Sequence, residues 1–202
     1  MIRGLALIFL LVFISPVWAS ENILIYGDSL SAAYGIRIDA AWPVLLDSRL
    51  KQEGYKYEVI NASISGETTS GGLSRLHPIL ERHKPSIVVI LLGCNDGLRG
   101  LPIKQMRENL VAMINASKKV GAKVLLVGQR LPSNYGNYAN QFHSTFGEVA
   151  KVEKTAHVDF LLNGIAERME LFLPNDIVHP NAEAQPYLLN NVWSGLLPLL
   201  KK

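Results

Sequence analysis

Very little in this chain can cross-link it, charge it strongly or divide it. Cys94 is the only cysteine among 202 residues, so no intramolecular disulfide can form and the core alone must hold the fold. Basic side chains number 20 and acidic ones 17, a formal net charge of +3 with no block of either sign. So weak and dispersed a balance argues against nucleic acid as a partner. No Pro/Ser-rich run, low-complexity stretch or repeat interrupts the sequence, which reads as one domain long enough to bury a sizeable core. No His/Cys/Asp/Glu cluster has metal-ligand spacing, and none of the glycines forms a phosphate loop: Gly71-Gly72 interrupts a helical pattern and follows no strand at the required spacing. Neither a metal nor a cofactor is expected. His77, His83 and His143 fall on amphipathic helices and His157 opens a strand, so all four read as structural.

One hydrophobic run stands apart, at the start. Arg3 precedes an apolar stretch from Leu5 to Ile14 that is short for a bilayer span, and Val17-Trp18-Ala19 then offers small residues at both recognition positions. Residues 1–19 read as a signal peptide cleaved after Ala19, with an uncleaved anchor as the alternative. No cysteine follows the run, which speaks against a lipid-modified terminus. Loss of Arg3 lowers the net charge from +3 to about +2 (+3 less one). The expectation is a periplasmic or secreted protein without a stable membrane anchor, its domain spanning 20–202.

Beyond the leader, short apolar runs alternate with amphipathic stretches. Strands are expected near 22–27, 57–61, 86–92, 123–128 and 157–161, and helices near 40–53, 68–83, 103–119, 138–154 and 184–200. Ser86-Ile87-Val88-Val89-Ile90-Leu91-Leu92 and Val124-Leu125-Leu126-Val127 are apolar on both faces, as strands covered by helices on both sides require. The βαβα order then gives an α/β protein, a parallel sheet in a three-layer sandwich. Polar or glycine-rich loops at 27–39, 61–67, 93–102 and 129–137 follow the strands, so function is expected along that rim.

Four pieces on the rim carry chemistry. Gly27-Asp28-Ser29-Leu30 follows the apolar run Ile23-Leu24-Ile25-Tyr26 and presents a serine on a strand-end turn. Serine alone is a poor nucleophile and needs a base held by a carboxylate. Asp176-Ile177-Val178-His179-Pro180 offers both; its bland alternative is an Asx-turn beside an incidental histidine. Gly93-Cys94-Asn95-Asp96 places an amide where it can donate to an oxyanion, or serves as plain turn chemistry. Asn61-Ala62-Ser63-Ile64-Ser65-Gly66 ends in a glycine whose N–H no side chain obstructs, or in an ordinary loop glycine. Asp28 and Asp96 read as turn-stabilising carboxylates. Leu98, Leu101, Pro102 and Tyr135 lie on rim loops, where they line an acyl-chain groove or pack generically.

Together, and in this order, the four pieces resemble the blocks of the SGNH hydrolases, also called the GDSL esterase/lipase family. They span residues 27 to 179. Asn61 to Thr68, Asn95 to Gly100, Arg130-Leu131-Pro132-Ser133-Asn134-Tyr135-Gly136 and His179-Pro180-Asn181 are similar to a branch containing periplasmic acyl-CoA thioesterase/protease/lysophospholipase enzymes and arylesterases. The resemblance implies a flavodoxin-like α/β/α sandwich with five parallel strands and a monomer. It implies Ser29 as nucleophile, His179 as general base and then acid, and Asp176 as its orienting carboxylate. The oxyanion hole would comprise the Ser29 N–H, the Gly66 N–H and Asn95 Nδ2. A mobile loop would run from Gly97 to Pro102.

Two positions depart from that branch. Cys94 and Ala33 both stand where glycine is frequent; Cys94 either narrows the floor of an acyl site or leaves an oxidisable thiol near Asn95. The serine block lacks the final glycine of the α/β-hydrolase elbow, and acid and base are only three residues apart; both points argue against that fold and for the sandwich. The implied activity is hydrolysis of carboxylic esters and thioesters (acyl-CoA, lysophospholipid or aryl esters) through an acyl-enzyme. Its alternatives are acyl transfer by the same triad and a non-catalytic periplasmic binding module.

Overall fold

The structure, a computed structural model, describes residues 21–202; the expected leader and its cleavage site lie outside the described residues. Five strands, β1 (Glu21–Gly27), β2 (Tyr57–Asn61), β3 (Ile87–Leu91), β4 (Lys123–Val127) and β5 (Ala156–Val158), form one sheet in the order β2-β1-β3-β4-β5. Every pairing is parallel. Six α-helices intervene: α1 (Trp42–Gln52), α2 (Thr69–His83), α3 (Cys94–Leu98), α4 (Ile103–Lys119), α5 (Asn137–Val152) and α6 (Gln185–Leu196).

Alternation along the strands sorts the core into two halves. Ile23, Ile25, Ile87, Val89, Leu91, Leu125 and Val127 face α1 and α6, with Trp42, Leu46, Leu188 and Trp193 packed on them. Leu24, Tyr26, Val88, Ile90, Val124 and Leu126 point the opposite way, onto Leu76, Leu110, Met113, Phe142 and Phe146 of α2, α4 and α5. Burying each such side chain is worth roughly 1.5–3 kcal/mol, which removes the need for a covalent staple. The expected three-layer α/β/α fold is therefore present. The chain leaves β1 for β2 on one side and returns to β3 on the other, so the crevice at the carboxyl end of β1 is the switch point where such sheets bind ligands.

Three elements differ from the sequence reading. β5 is short because the chain crosses Gly128 directly after Val158. The Gly128 N–H donates to Val158 O at 2.7 Å and the Leu161 N–H to Gly128 O at 3.0 Å. A Cβ on Gly128 would fall 2.1 Å from Asp159 O, so only glycine permits the crossing. The last helix stops at Leu196, followed by a 3₁₀ turn over Leu197–Leu199, since Pro198 cannot continue the α-helical ladder. Residues 94–98, expected as loop, wind into the single turn α3, after Gly93 at φ 130° swings the chain off β3.

Candidate active site

The serine turn is held from below and behind. Gly27 ends β1 in a place too tight for a side chain: a Cβ there would lie 2.9 Å from Ser31 Oγ and 3.0 Å from Leu91 O. Asp28 is fully buried; its Oδ1 accepts from the Leu30 N–H at 3.0 Å, and its carbonyl accepts from the N–H groups of Ser31 and Ala32 at 3.1 and 3.0 Å. Trp42 Nε1–H donates to Leu30 O at 3.0 Å and Asn61 Nδ2 to Ser31 O at 2.7 Å. These bonds fix the peptides on both sides of Leu30 and leave the Ser29 hydroxyl facing the rim. Burial pushes the Asp28 carboxyl up to about 7, against the pull of the Leu30 N–H and the neighbouring Gln129 amide. Asp28 and Asp96 both carry structural bonds: Asp96 accepts from Thr69 N–H at 2.8 Å and Thr69 Oγ1 at 2.5 Å, tying α3 to the start of α2.

The histidine comes from a self-contained loop. The Leu173 N–H donates to His179 O at 2.9 Å, Phe172 and Pro180 form an antiparallel bridge, and the Asn181 N–H donates to Leu171 O at 2.8 Å. Inside this closed loop Asp176 Oδ1 accepts from the N–H groups of Val178 and His179 at 2.7 and 3.0 Å, while Oδ2 lies 2.7 Å from His179 Nδ1. Burial alone would raise the Asp176 carboxyl; these N–H groups and the imidazole outweigh it and hold the carboxyl below its ordinary range. An acceptor at Nδ1 keeps the proton there, which leaves Nε2 as an acceptor. Nε2 lies 3.0 Å from Ser29 Oγ, across 150 residues of chain. The Tyr34 ring stands against the imidazole, centroids 4.3 Å apart.

The loops after β2 and β3 flank the serine turn. Gly66 has φ +80°, a conformation that favours glycine even though a Cβ would meet only Arg99 Nη2, at 3.9 Å. Neither its N–H nor that of Ser29 has an acceptor among the described residues. Asn95, on the single turn of α3, donates one Nδ2–H to Glu67 O at 3.0 Å, and Arg99 holds Gly66 O at 3.1 Å. A part-buried pair, Arg75 Nε and Glu67 Oε2 at 2.6 Å, pins the same loop, with Arg75 also donating to Ala62 O at 2.8 Å and lying 4.3 Å over the Tyr26 ring.

Beside the Asp176–His179–Ser29 line lies an apolar cavity of about 50 Å³, bounded by Leu30 and Val178 from the serine and histidine loops and by Leu98, Pro132, Phe160 and Leu161. Of the expected groove residues the structure places Leu98 here. Leu101 is partly exposed on the rim and its carbonyl accepts from Tyr138 Oη at 2.7 Å; Pro102 caps α4; Tyr135 Oη donates to Leu98 O at 3.1 Å, behind the wall. Cys94 also lines the cavity. Burial pushes its thiol far up, with Asp28 and Asp96 adding to the effect, so it stays protonated and narrows the space without offering a reactive thiolate.

Tyr34, the Arg75–Glu67 pair and Gln129, a further cavity residue, were missed by the sequence reading. Only the pair had a usable signal, an acid at the end of the glycine loop and a base eight residues on, inside α2. Carboxylate, imidazole and hydroxyl in line can deliver a serine alkoxide to an electrophilic carbonyl, and N–H donors on flanking loops can take up the negative charge that forms.

Residues 25–185 match the model of a family described as GDSL-like lipase/acylhydrolase. Esterase TesA of Pseudomonas aeruginosa is 48% identical over 94% of both chains, and a crystal structure of TesA superposes with a TM-score of 0.87 at 49% identity, covering 89% of this chain and 100% of that one. An arylesterase of Vibrio mimicus is 41% identical over 98% of both chains. Thioesterase 1/protease 1/lysophospholipase L1 of Escherichia coli K12 is 36% identical over 97% of this chain and 93% of that one.

Proposed function

Since the chain belongs to the GDSL-like lipase/acylhydrolase family, we propose that it hydrolyses carboxylic esters and thioesters through an acyl-enzyme on Ser29. The observation that carries this reading is the unbroken line Asp176 Oδ2–His179 Nδ1, His179 Nε2–Ser29 Oγ, at 2.7 and 3.0 Å. His179 takes the Ser29 proton as Oγ attacks the acyl carbon. Asp176, ionised, stabilises the imidazolium. The Ser29 and Gly66 N–H groups and the second Nδ2–H of Asn95 hold the oxyanion. His179 then returns the proton to the departing alcohol or thiol, and water repeats the sequence on the acyl-enzyme. The acyl chain enters the cavity beside Leu30 and Leu98, while Leu101, Pro102 and Tyr135 shape the rim over which the rest of the substrate lies.

The relatives' names span esters, aryl esters, thioesters and lysophospholipids, and this chain's substrates fall within that range. No helix among the described residues is long and apolar enough to cross a membrane. With the leader read at 1–19, the protein is exported and works as a monomer; N-terminal sequencing from Ser20 and light scattering of the exported protein check both.

Ser29→Ala tests the mechanism. Turnover of p-nitrophenyl esters should fall about 10⁴-fold or more while the thermal transition is kept, and labelling by a fluorophosphonate should disappear. A variant that keeps most of its activity, or still takes the label, refutes the nucleophile.

A further inference from the structure

The loop that carries Gly66 is held at both ends by one side chain. Arg75, inside α2, donates from Nε to Glu67 Oε2 at 2.6 Å and from Nη1 to Ala62 O at 2.8 Å, so a single guanidinium grips the segment 62–67 where it begins and where it ends. The two side chains are mostly buried, at 20% and 13% exposure. Gly71 makes room for the pair: a Cβ there would fall 2.0 Å from Glu67 Oε1. The guanidinium lies 4.3 Å over the Tyr26 ring, whose Oη donates to Gly72 O at 2.6 Å, so the surface beneath it is fixed as well. A buried ion pair is weak evidence for stability, because apolar side chains of similar volume often serve as well or better. A carboxylate before the first turn of α2 suits the helix dipole without a partner, but that does not account for the bond from Arg75 to Ala62 O. What the pair supplies is position. Gly66 lies inside the gripped segment, and Glu67 O is the acceptor that orients Asn95 Nδ2 at 3.0 Å. Arg99 also holds Gly66 O, at 3.1 Å, but from an exposed place on the rim where water competes.

We propose that Arg75 is a positioning residue for the oxyanion donors, holding the Gly66 N–H and, through Glu67 O, Asn95 Nδ2 in the geometry that a tetrahedral intermediate needs. The proposal rests on the reading that these groups take up the oxyanion. Arg75 itself touches no reacting atom. Its influence belongs to the transition states, and to acylation and deacylation alike, because both pass through a tetrahedral oxyanion.

The test follows p-nitrophenyl butyrate turnover and inhibition by butylboronic acid, whose tetrahedral adduct on Ser29 presents an oxygen to the same donors. It compares wild type with Arg75→Met, Arg75→Lys and Asn95→Ala. In Arg75→Met kcat should fall about 10–100-fold, less than the roughly 10²–10³ lost with a donor itself, while KM stays within about twofold. The inhibition constant of the boronic acid should rise by a factor similar to the fall in kcat. Lysine lacks the fork that spans both acceptors, so Arg75→Lys should fall between Met and wild type; it is judged alone if Arg75→Met does not fold. A folded variant with wild-type kcat and boronate affinity overturns the proposal, even if its melting temperature drops, since that is the mark of a purely structural pair. A fall in kcat without a matching loss of boronate affinity overturns it too. Asn95→Ala separates this idea from the reading beneath it. If Asn95→Ala loses about 10²–10³ in kcat while the Arg75 variants keep theirs, only the positioning role falls. If Asn95→Ala turns over like wild type, the oxyanion reading falls and this one with it.

Discussion

Two aspartates, one in the serine turn and one in the histidine loop, are treated in opposite ways. Asp28, beneath the serine, is fully buried, with one oxygen bonded to a single N–H and the other unpartnered. Asp176, beside the histidine, keeps 27% of its side chain exposed, with both oxygens engaged. The carboxyl of the first is pushed up to about 7 and that of the second is held down. Position in the fold explains the difference. The serine turn is fixed by the sheet and by bonds from Trp42 and Asn61, so its carboxyl is sealed off from water. The histidine loop is fixed by bonds within itself, and its carboxylate is one of the pieces that fix it. Integrity of the first site is a property of the whole fold; that of the second is local.

The largest test of this contrast is Asp176→Asn. An amide at this position still accepts from the Val178 and His179 N–H groups, so the loop should keep its shape and the protein should lose only the small stability that the ionised carboxylate contributes. It cannot stabilise an imidazolium or enforce the Nδ1–H tautomer, so kcat should fall about 10⁴-fold. A variant that loses stability in proportion to activity would show that the loop is not self-contained.

Stability against pH separates the two carboxyls next. A raised carboxyl contributes stability that is complete below its unfolded value of 3.8 and is lost as pH climbs towards about 7. A depressed one contributes stability above 3.8 that is lost only as pH falls through its lower folded value. Between about pH 4 and pH 7, Asp28 should therefore drive a decline in the urea midpoint while Asp176 contributes a constant. Asp28→Asn should flatten that decline and Asp176→Asn should leave it in place. The same slope in all three proteins would mean that Asp28 is ionised throughout.

The contrast also separates what was legible in the sequence from what was not. β3 and β4 announce themselves because a strand buried on both faces has no polar residue to disguise it. Asp176 and His179 are three residues apart, so their relation is written locally, and the serine turn follows an obvious strand. β5 reads longer in the sequence than it is because Phe160 and Leu161 are apolar and buried, while the crossing at Gly128 that ends the ladder depends on a segment thirty residues away. Residues 94–98 read as a loop because Gly93 and Gly97 mark turns and a single helical turn has no period to detect. Tyr34 against His179, and Gln129 behind the serine, meet their neighbours only across the sheet. No spacing along the chain encodes such encounters.

The smallest effect concerns backbone strain, again one residue per loop. Ala33 and Asn175 both have φ +60°. Alanine pays roughly 1–2 kcal/mol for left-handed backbone, whereas asparagine tolerates it. Ala33 sits next to Tyr34, whose ring supports His179, so the strained turn aims a side chain at the site. Ala33→Gly should relieve the strain but add about 0.5–1 kcal/mol of unfolded-chain entropy, for a net gain of roughly 0.5–1 kcal/mol in urea unfolding. Asn175→Gly relieves little and adds flexibility, so its change should be near zero or slightly negative. If Ala33→Gly destabilises the protein, the alanine methyl is contributing packing that outweighs its backbone penalty, and the strain does not reside in that torsion. If both variants gain alike, the two loops carry strain equally, and the division between a fold-held serine turn and a self-held histidine loop no longer extends to their backbones.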